Sequence, residues 1–79
     1  MRVLLEVAEV RVVGGQVRLV RAGAHRYRIL ATLERYEAGG RWWVGELPRS
    51  YFVLLSQDGV RLEVYVVAAL EWTLSAVED

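Results

Sequence analysis

The pair Asp58-Gly59 stands between two segments in which apolar and other residues alternate, and it constrains the fold more than any other feature. Asp and Gly both tolerate the positive φ angles of a two-residue type I′ turn, so the pair predicts an antiparallel β-hairpin. A slip of one residue would move every side chain of a strand to the other face of the sheet. The turn and the apolar pattern therefore predict one register together.

The predicted register divides this hairpin into a buried face and an outer face. The buried face contains three apolar cross-strand pairs, which are Leu55 with Leu62, Val53 with Val64, and Tyr51 with Val66. The outer face then carries Leu54 opposite Glu63 and Phe52 opposite Tyr65. Exposed aromatic groups are typical of protein-binding hot spots. We therefore predict that Phe52, Leu54 and Tyr65 contact a partner.

A second hairpin is predicted at Gly14-Gly15. A two-residue turn there places Val12 opposite Val17 on an apolar face and Arg11 opposite Arg18 on the other face. Upstream, the apolar residues change from odd positions (Val3, Leu5, Val7) to even ones (Val10, Val12) near Ala8-Glu9. A β-bulge would produce this change, and bulges help small barrels to bend and close.

Further strands are predicted along the rest of the chain. Residues 26–36 alternate as in a strand, although Ile29, Leu33 and Tyr36 also fit a helical turn, so both interpretations stay open with the strand favoured. Residues 41–45 are expected to form a short strand, and the last strand is expected to turn four residues inward: Leu70, Trp72, Leu74 and Ala76.

These segments predict one all-β domain over residues 1–79, because a chain this short supports a single core. About six or seven short strands are typical of a small antiparallel barrel or a strongly curved sheet, and we favour an SH3-like barrel. The hydrophobic fraction of 54% is high for so short a chain and suggests self-association, with a homodimer as the simplest form.

Catalytic and metal-binding residues are scarce. The chain has no Cys and a single His, His25, so neither a nucleophile with its base nor a typical zinc site is predicted. We expect a non-enzymatic protein without cofactor or metal.

Charges interrupt the first residues too early for a signal peptide, and no apolar run is long enough to span a bilayer, which predicts a soluble cytoplasmic protein without a membrane partner.

Charge is unevenly distributed. Residues 10–41 hold seven Arg and two Glu, whereas residues 42–79 hold two Arg and six acidic residues. The two halves could neutralise each other in the fold, or the basic half could bind an anionic partner. In the second case we expect nucleic-acid contacts from four arginines: Arg11, Arg18, Arg26 and Arg28.

The adjacent Trp42 and Trp43 cannot both face inward on one strand, so one is expected on the outer face as a stacking or partner-binding residue.

Residues 41–53, Arg-Trp-Trp-Val-Gly-Glu-Leu-Pro-Arg-Ser-Tyr-Phe-Val, combine a Trp-Trp pair, Gly-Glu and an Arg before Tyr-Phe. With Asp58-Gly59, Tyr65 and a later Trp72 with Leu74, this pattern resembles a family of short bacterial proteins of unknown function. A looser form is similar to the C-terminal segment of the mutasome accessory protein related to Y-family DNA polymerases. The resemblance implies a DNA-repair or translesion-synthesis context, and it provides no catalytic residues.

Two functions follow as expectations. The first is a protein-interaction module, homodimeric, that binds a repair or replication protein through Trp42, Trp43, Phe52, Leu54 and Tyr65. The second is a module that binds single-stranded nucleic acid with arginines and exposed aromatic residues, and salt-dependent binding would distinguish it from the first.

Overall fold

The computed structural model describes residues 2–39, 42–45, 47–68 and 71–78, with the side chains of residues 2–4 and of Trp42 left out of the description. Six strands make up most of this part of the chain. They are β1 Arg2–Val13, β2 Gln16–Ala22, β3 His25–Ala38, β4 Arg49–Ser56, β5 Arg61–Val67 and β6 Glu71–Glu78. A 3-10 turn at Trp42–Val44 precedes β4.

Each strand pairs antiparallel with the next, and β6 pairs with β1 to close a six-stranded barrel. The prediction of an all-β small antiparallel barrel is confirmed. The segment around residues 26–36 is a strand rather than a helical turn, as favoured. The two longest strands change neighbours along their length: β1 pairs with β6 up to Ala8 and with β2 from Glu9, and β3 pairs with β2 up to Arg28 and with β4 from Ile29.

One apolar cluster fills the barrel. Val20, Leu54 and Val64 are completely buried. The other buried members are Ala8, Val17, Ala22, Ile29, Leu62, Leu74 and Val77, and Val10, Tyr27, Phe52, Val60 and Trp72 pack against them. Burial of a Leu or Val side chain contributes about 1.5–3 kcal/mol, so this cluster is the main source of stability.

The Asp58-Gly59 hairpin forms, but its register differs from the predicted one. Gly59 N–H donates to the Ser56 carbonyl at 3.1 Å, and Ser56 N–H donates to the Val60 carbonyl at 2.8 Å. Gly59 has φ +83°, and Asp58 is not in the positive-φ region, so the loop is a three-residue type I turn followed by a left-handed glycine. The Ser56 hydroxyl accepts the Val60 N–H at 3.0 Å and supports this geometry.

The extra loop residue moves β4 by one position against β5. Leu54 pairs with Leu62, and Phe52 pairs with Val64. The predicted outer placement of Leu54 and Phe52 is therefore wrong, because Leu54 is 0% exposed and Phe52 packs against the core. The alternate residues of β4, beginning with Tyr51, face outward instead, and the outward position of Tyr65 is unchanged.

The Gly14-Gly15 turn has the predicted two residues. Both glycines have positive φ, and Val12 pairs with Val17 as expected. Beyond that pair the register shifts, so that Arg11 pairs with Leu19 and the expected Arg11–Arg18 pair is wrong. Arg18 is the additional residue of a bulge in β2, where it is exposed.

The predicted change of phase in β1 occurs earlier than expected. The register with β6 shifts between Val3 and Glu6, rather than near Ala8-Glu9. Leu5 and Val7, which were expected to face inward, are 76% and 71% exposed. Ala8 is the buried residue of this part of β1.

The predictions for residues 41–45 and for β6 also need correction. Residues 42–44 of the expected strand 41–45 form the 3-10 turn, while Arg41 lies outside the described residues. In β6, Leu74 is buried as predicted, but a bulge follows it and brings Val77, not Ala76, into the core. Leu70 lies outside the described residues.

Candidate interaction faces

A row of three tyrosines crosses the outer surface of β3, β4 and β5. Tyr36 pairs with Tyr51, and Tyr51 pairs with Tyr65. The rings of Tyr36 and Tyr51 stack with their centroids 5.0 Å apart and an interplanar angle of 3°, and those of Tyr51 and Tyr65 lie 5.3 Å apart at 43°. Stacked aromatic pairs in direct register stabilise a sheet, so the row is held rigidly by the barrel beneath it.

Charged side chains contact the tyrosines at the two ends of the row, Tyr36 and Tyr65. The Tyr36 hydroxyl donates to Glu63 Oε2 at 3.0 Å, and the Ser75 hydroxyl lies 2.9 Å from Glu63 Oε1. The Arg49 guanidinium lies 4.9 Å from the ring centroid of Tyr65, at cation–π distance. We call these residues the tyrosine face: Tyr36, Tyr51, Tyr65, Arg49 and Glu63.

The position of Tyr36 changes its acidity. Partial desolvation raises the pKa of its hydroxyl, and the hydrogen bond to Glu63 and the negative charge of that carboxylate raise the pKa further. The neutral phenol is therefore the favoured form in the folded protein, and it remains a hydrogen-bond donor to Glu63.

A concavity of about 440 Å³ borders the tyrosine face. Its lining combines aromatic and apolar groups, including Tyr51, Tyr65 and Leu5, with charges of both signs. The charged residues of the lining are Glu34, Arg49, Arg61, Glu63 and Glu78. A concave surface with an aromatic centre and a charged rim has the layout of a protein-binding site.

A second surface lies on the outer side of β1, β2 and β3. Two cross-strand rows form it, the first being Arg11, Leu19 and Arg28 and the second being Glu9, Arg21 and Arg26. Arg21 Nη2 is 2.6 Å from Glu9 Oε1, in an exposed ion pair. We call the four arginines of these rows the arginine face: Arg11, Arg21, Arg26 and Arg28.

The structure thus brings together three of the four arginines predicted to bind nucleic acid, and Arg18 stands in the neighbouring bulge. Arg21 was missed by the sequence analysis. The sequence pattern could have indicated it. Arg21 lies between Val20 and Ala22, which are both buried, so the alternation of a strand places its side chain on the outer face.

The tryptophans are not next to the arginine face. Trp43 is 66% exposed in the 3-10 turn that follows β3, and the side chain of Trp42 lies outside the described residues. Arg26 and Arg28 stand near the first residue of β3, a strand of 14 residues. A strand of that length spans roughly 40 Å at about 3.3 Å per residue. The arginines and Trp43 therefore lie towards opposite ends of β3.

The inward aromatic residues form a third cluster, near the β1–β2 turn. The ring centroids of Phe52 and Trp72 lie 5.3 Å apart, and the Arg35 guanidinium lies 5.1 Å from the Phe52 ring centroid. A cavity of about 410 Å³ opens beside them, with Val12 and Val17 among its lining residues. Phe52 consequently lines the interior of the barrel rather than the outer surface assigned to it by the sequence analysis.

Within the described ranges, no cluster of three or more His, Cys, Asp or Glu residues is placed to bind a metal ion. His25 stacks against Tyr27, with ring centroids 6.2 Å apart, at the start of β3. The same part of the chain contains no helix long and apolar enough to cross a membrane.

Comparison with known proteins yields no relatives: no family model, no curated protein sequence and no solved structure matches this chain. The resemblance to short bacterial proteins and to the mutasome accessory protein therefore stays a prediction. Functional inference depends on the two faces themselves.

Proposed function

We propose that this barrel is a non-enzymatic interaction module that binds a partner protein through the tyrosine face. The observation that carries the proposal is the row of neighbouring rings formed by Tyr36, Tyr51 and Tyr65 on three adjacent strands. Tyr and Arg are enriched in binding hot spots, and tyrosine provides a large contact area at a low cost in conformational entropy. A row whose rings already pack against one another loses little additional conformational freedom when it binds.

The charged residues that line the concavity indicate what kind of protein surface would be complementary to it. Arg49 and Arg61 lie among three carboxylates in the concavity beside the row, so a complementary surface carries charges of both signs. On the resemblance of residues 41–53, we propose a cytoplasmic repair or replication protein as the partner. Trp43, which is exposed near the start of β4, and Tyr65 retain the partner-binding role proposed from the sequence.

The test compares variants of the two faces. Tyr51→Ser with Tyr65→Ser removes two rings of the tyrosine face, and Arg11→Ser with Arg26→Ser changes the arginine face as a matched control. The wild-type chain and both variants are immobilised, and proteins retained from extracts of the source cell are quantified by mass spectrometry. We expect one partner to be lost with the tyrosine variant and retained with the control.

That partner is then purified, and its affinity for all three chains is measured by calorimetry. Loss of the two tyrosines should weaken binding at least about 30-fold, since truncating a single hot-spot residue already costs about 2 kcal/mol or more. Circular dichroism verifies that the variants remain folded. Equal affinity for the wild-type chain and the tyrosine variant would contradict the proposal.

A second candidate function is single-strand nucleic-acid binding, and the arginine face favours it. Four exposed arginines stand on three adjacent strands, and Glu9 forms an ion pair with one of them, Arg21. Arginines in such a row fit the spacing-tolerant contacts that a flexible phosphate backbone makes.

Its test is fluorescence anisotropy with a labelled single-stranded oligonucleotide at two salt concentrations. We expect the affinity to fall with salt, because each phosphate contact releases a counterion. Arg26→Ser with Arg28→Ser should reduce both the affinity and its salt dependence, whereas the tyrosine variant should bind normally. No binding at low salt would exclude this function.

A further inference from the structure

The second half of β3 has a free edge. Residues 25–28 pair with β2, but from Ile29 onward β3 pairs only with β4 among the described strands. Every residue from Leu30 to Gly39 is exposed, including Leu30 at 58% and Leu33 at 46%. A free strand edge presents unpaired N–H and C=O groups to which another strand can add.

Two bulges restrict the part of this edge that can pair. The register with β4 shifts between Ile29 and Ala31 and again between Thr32 and Glu34, and bulges of this kind protect strand edges. From Glu34 to Ala38 the register is regular. The regular stretch has five residues, and Tyr36 is its centre.

The β1–β2 turn lies beside the start of this stretch, since Gly15 lines the same cavity as Arg35. Leu19 and Arg28 are the last pair between β2 and β3, and Gly15 is four residues before Leu19. Counted along both strands, the turn is level with residues 32 and 33. The stretch from Glu34 to Ala38 therefore begins beside the turn and runs beyond it, and all five residues are exposed.

We propose that the edge from Glu34 to Ala38 pairs antiparallel with the same edge of a second copy of this chain, about a two-fold axis at Tyr36. Arg35 then stands opposite the partner's Glu37, and Glu37 stands opposite the partner's Arg35. Arg35 and Glu37 occupy the same face of β3, so these are direct cross-strand ion pairs.

Charge also selects the register. A centre at Arg35 would oppose Arg35 to its own copy, and a centre at Glu37 would oppose two glutamates. Like charges directly opposite each other destabilise a sheet, whereas opposite charges stabilise it. The centre at Tyr36 is the arrangement in which each of these charges meets its complement.

The pairing makes one continuous sheet from the β3–β4–β5 sides of two barrels. The tyrosine row of one copy then joins the row of the other through a Tyr36–Tyr36 contact. The pairing uses the edge of β3 rather than its outer face, so it does not depend on the proposed partner of the tyrosine face. A short strand pair buries less than the roughly 1,200 Å² of a stable interface, and we expect the dimer to dissociate on dilution.

Charge variants test the proposed register in purified protein. Arg35→Glu and Glu37→Arg each place like charges opposite one another, and the double variant Arg35→Glu/Glu37→Arg restores complementarity. Sedimentation over a series of concentrations should show a dimer weakened by up to about 30-fold for each single variant, as expected for two lost cross-strand pairs of up to about 1 kcal/mol each, and recovery in the double variant. Because Arg35 also contacts Phe52, Glu37→Arg is the variant least expected to affect folding.

Cysteine cross-linking tests the position of the axis, since the chain has no Cys of its own. Tyr36→Cys should form a disulfide with its copy and give a species of twice the 9.0 kDa chain mass. Glu34→Cys is the control, because residues 34 of the two copies would lie about 13 Å apart, beyond disulfide reach. A monomer at all concentrations, single variants that dimerise like the wild type, or equal cross-linking of both cysteine variants would overturn the proposal.

Discussion

At the scale of single residues, Leu54 and Leu55 are chemically identical neighbours, yet they have different environments. Leu54 is completely buried and pairs with Leu62, whereas Leu55 is half-buried and pairs with Arg61. The difference arises from one additional residue in the following loop, because strand side chains alternate between the two faces.

Leu54→Ala should therefore destabilise the barrel by about 2–5 kcal/mol, the usual cost of a cavity at a buried leucine. Leu55→Ala is the matched control, and we expect it to cost about 1 kcal/mol or less because part of that side chain remains in water. The free energy of unfolding is measured by urea denaturation. A larger loss at Leu55 would instead support the register expected from a two-residue turn.

Tyr36 provides a prediction in alkaline solution. Its pKa is raised in the folded protein, so its contribution to stability is present below the unfolded tyrosine pKa of about 10 and is lost as the pH rises through the folded value. Unfolding at a series of pH values should show this loss. Tyr36→Phe should reduce it, because the variant keeps the stacked ring and lacks the ionisable hydroxyl.

Tyr65→Phe is the control for this series, since the hydrogen bond to Glu63 comes from Tyr36. Tyrosinate absorbance gives an independent readout, in which the titration of the tyrosine with the raised pKa should be missing from Tyr36→Phe. An identical alkaline profile for the wild type and Tyr36→Phe would show that the hydroxyl is not responsible.

At the scale of strands and turns, the strand register could be predicted from the sequence where the turn residues fit a single loop length, and not where they fit two. Gly14-Gly15 permits positive φ at two positions, and the predicted two-residue turn forms. Asp58-Gly59 fits both a two-residue and a three-residue loop, and the Ser56 hydroxyl supports the longer one. That contact spans the loop itself, from Ser56 to Val60, and the alternation of apolar residues did not indicate it.

Bulges account for the remaining errors in the strands. Leu30, Leu33 and Ser75 are additional residues in their strands, and each reverses the inward and outward positions that follow. Ser75 illustrates the cause, because its hydroxyl contacts the backbone carbonyl of Glu63 at 3.1 Å in the neighbouring strand. A local pattern of apolar residues does not contain this information.

The turn at Gly59 makes a prediction at this scale. Gly59→Ala should destabilise the barrel by about 1–3 kcal/mol, because a side chain at φ +83° is strained even though an added Cβ meets nothing within 4 Å. Gly39→Ala is the matched control, since Gly39 also has open space and lies outside the positive-φ region. Thermal and urea unfolding measure both. Equal effects would indicate that backbone strain at Gly59 is unimportant.

At the scale of the whole molecule, the uneven charge along the sequence has a spatial counterpart. The basic segment supplies the arginine face, and three of its members were predicted. The tyrosine face was predicted only through Tyr65, because the wrong β4 register assigned Tyr51 to the core and Phe52 and Leu54 to the surface. An error of one residue in a turn thus altered the composition of a complete face.

Amide hydrogen exchange should follow this architecture. We expect the slowest exchange in β5, which pairs on both sides and carries Leu62, Val64 and Val66 into the core. In dilute protein, the amides of Glu34 to Ala38 that point away from β4 should exchange fast, and they should become protected as the concentration increases. Uniform protection along β3 at every concentration would show that its edge is already covered within one chain.

The pairing of β1 with β6 has a consequence for the formation of the barrel. Five of the six strand pairs join neighbours in sequence, whereas the sixth joins Arg2 to Val77. Contacts between residues so distant in sequence form slowly, because a long loop must close first. During synthesis the hairpins can form as they leave the ribosome. The pairing of β1 with β6 must wait until β6 has emerged, and until then the part of β1 before Glu9 is an open strand exposed to chaperones and to neighbouring chains.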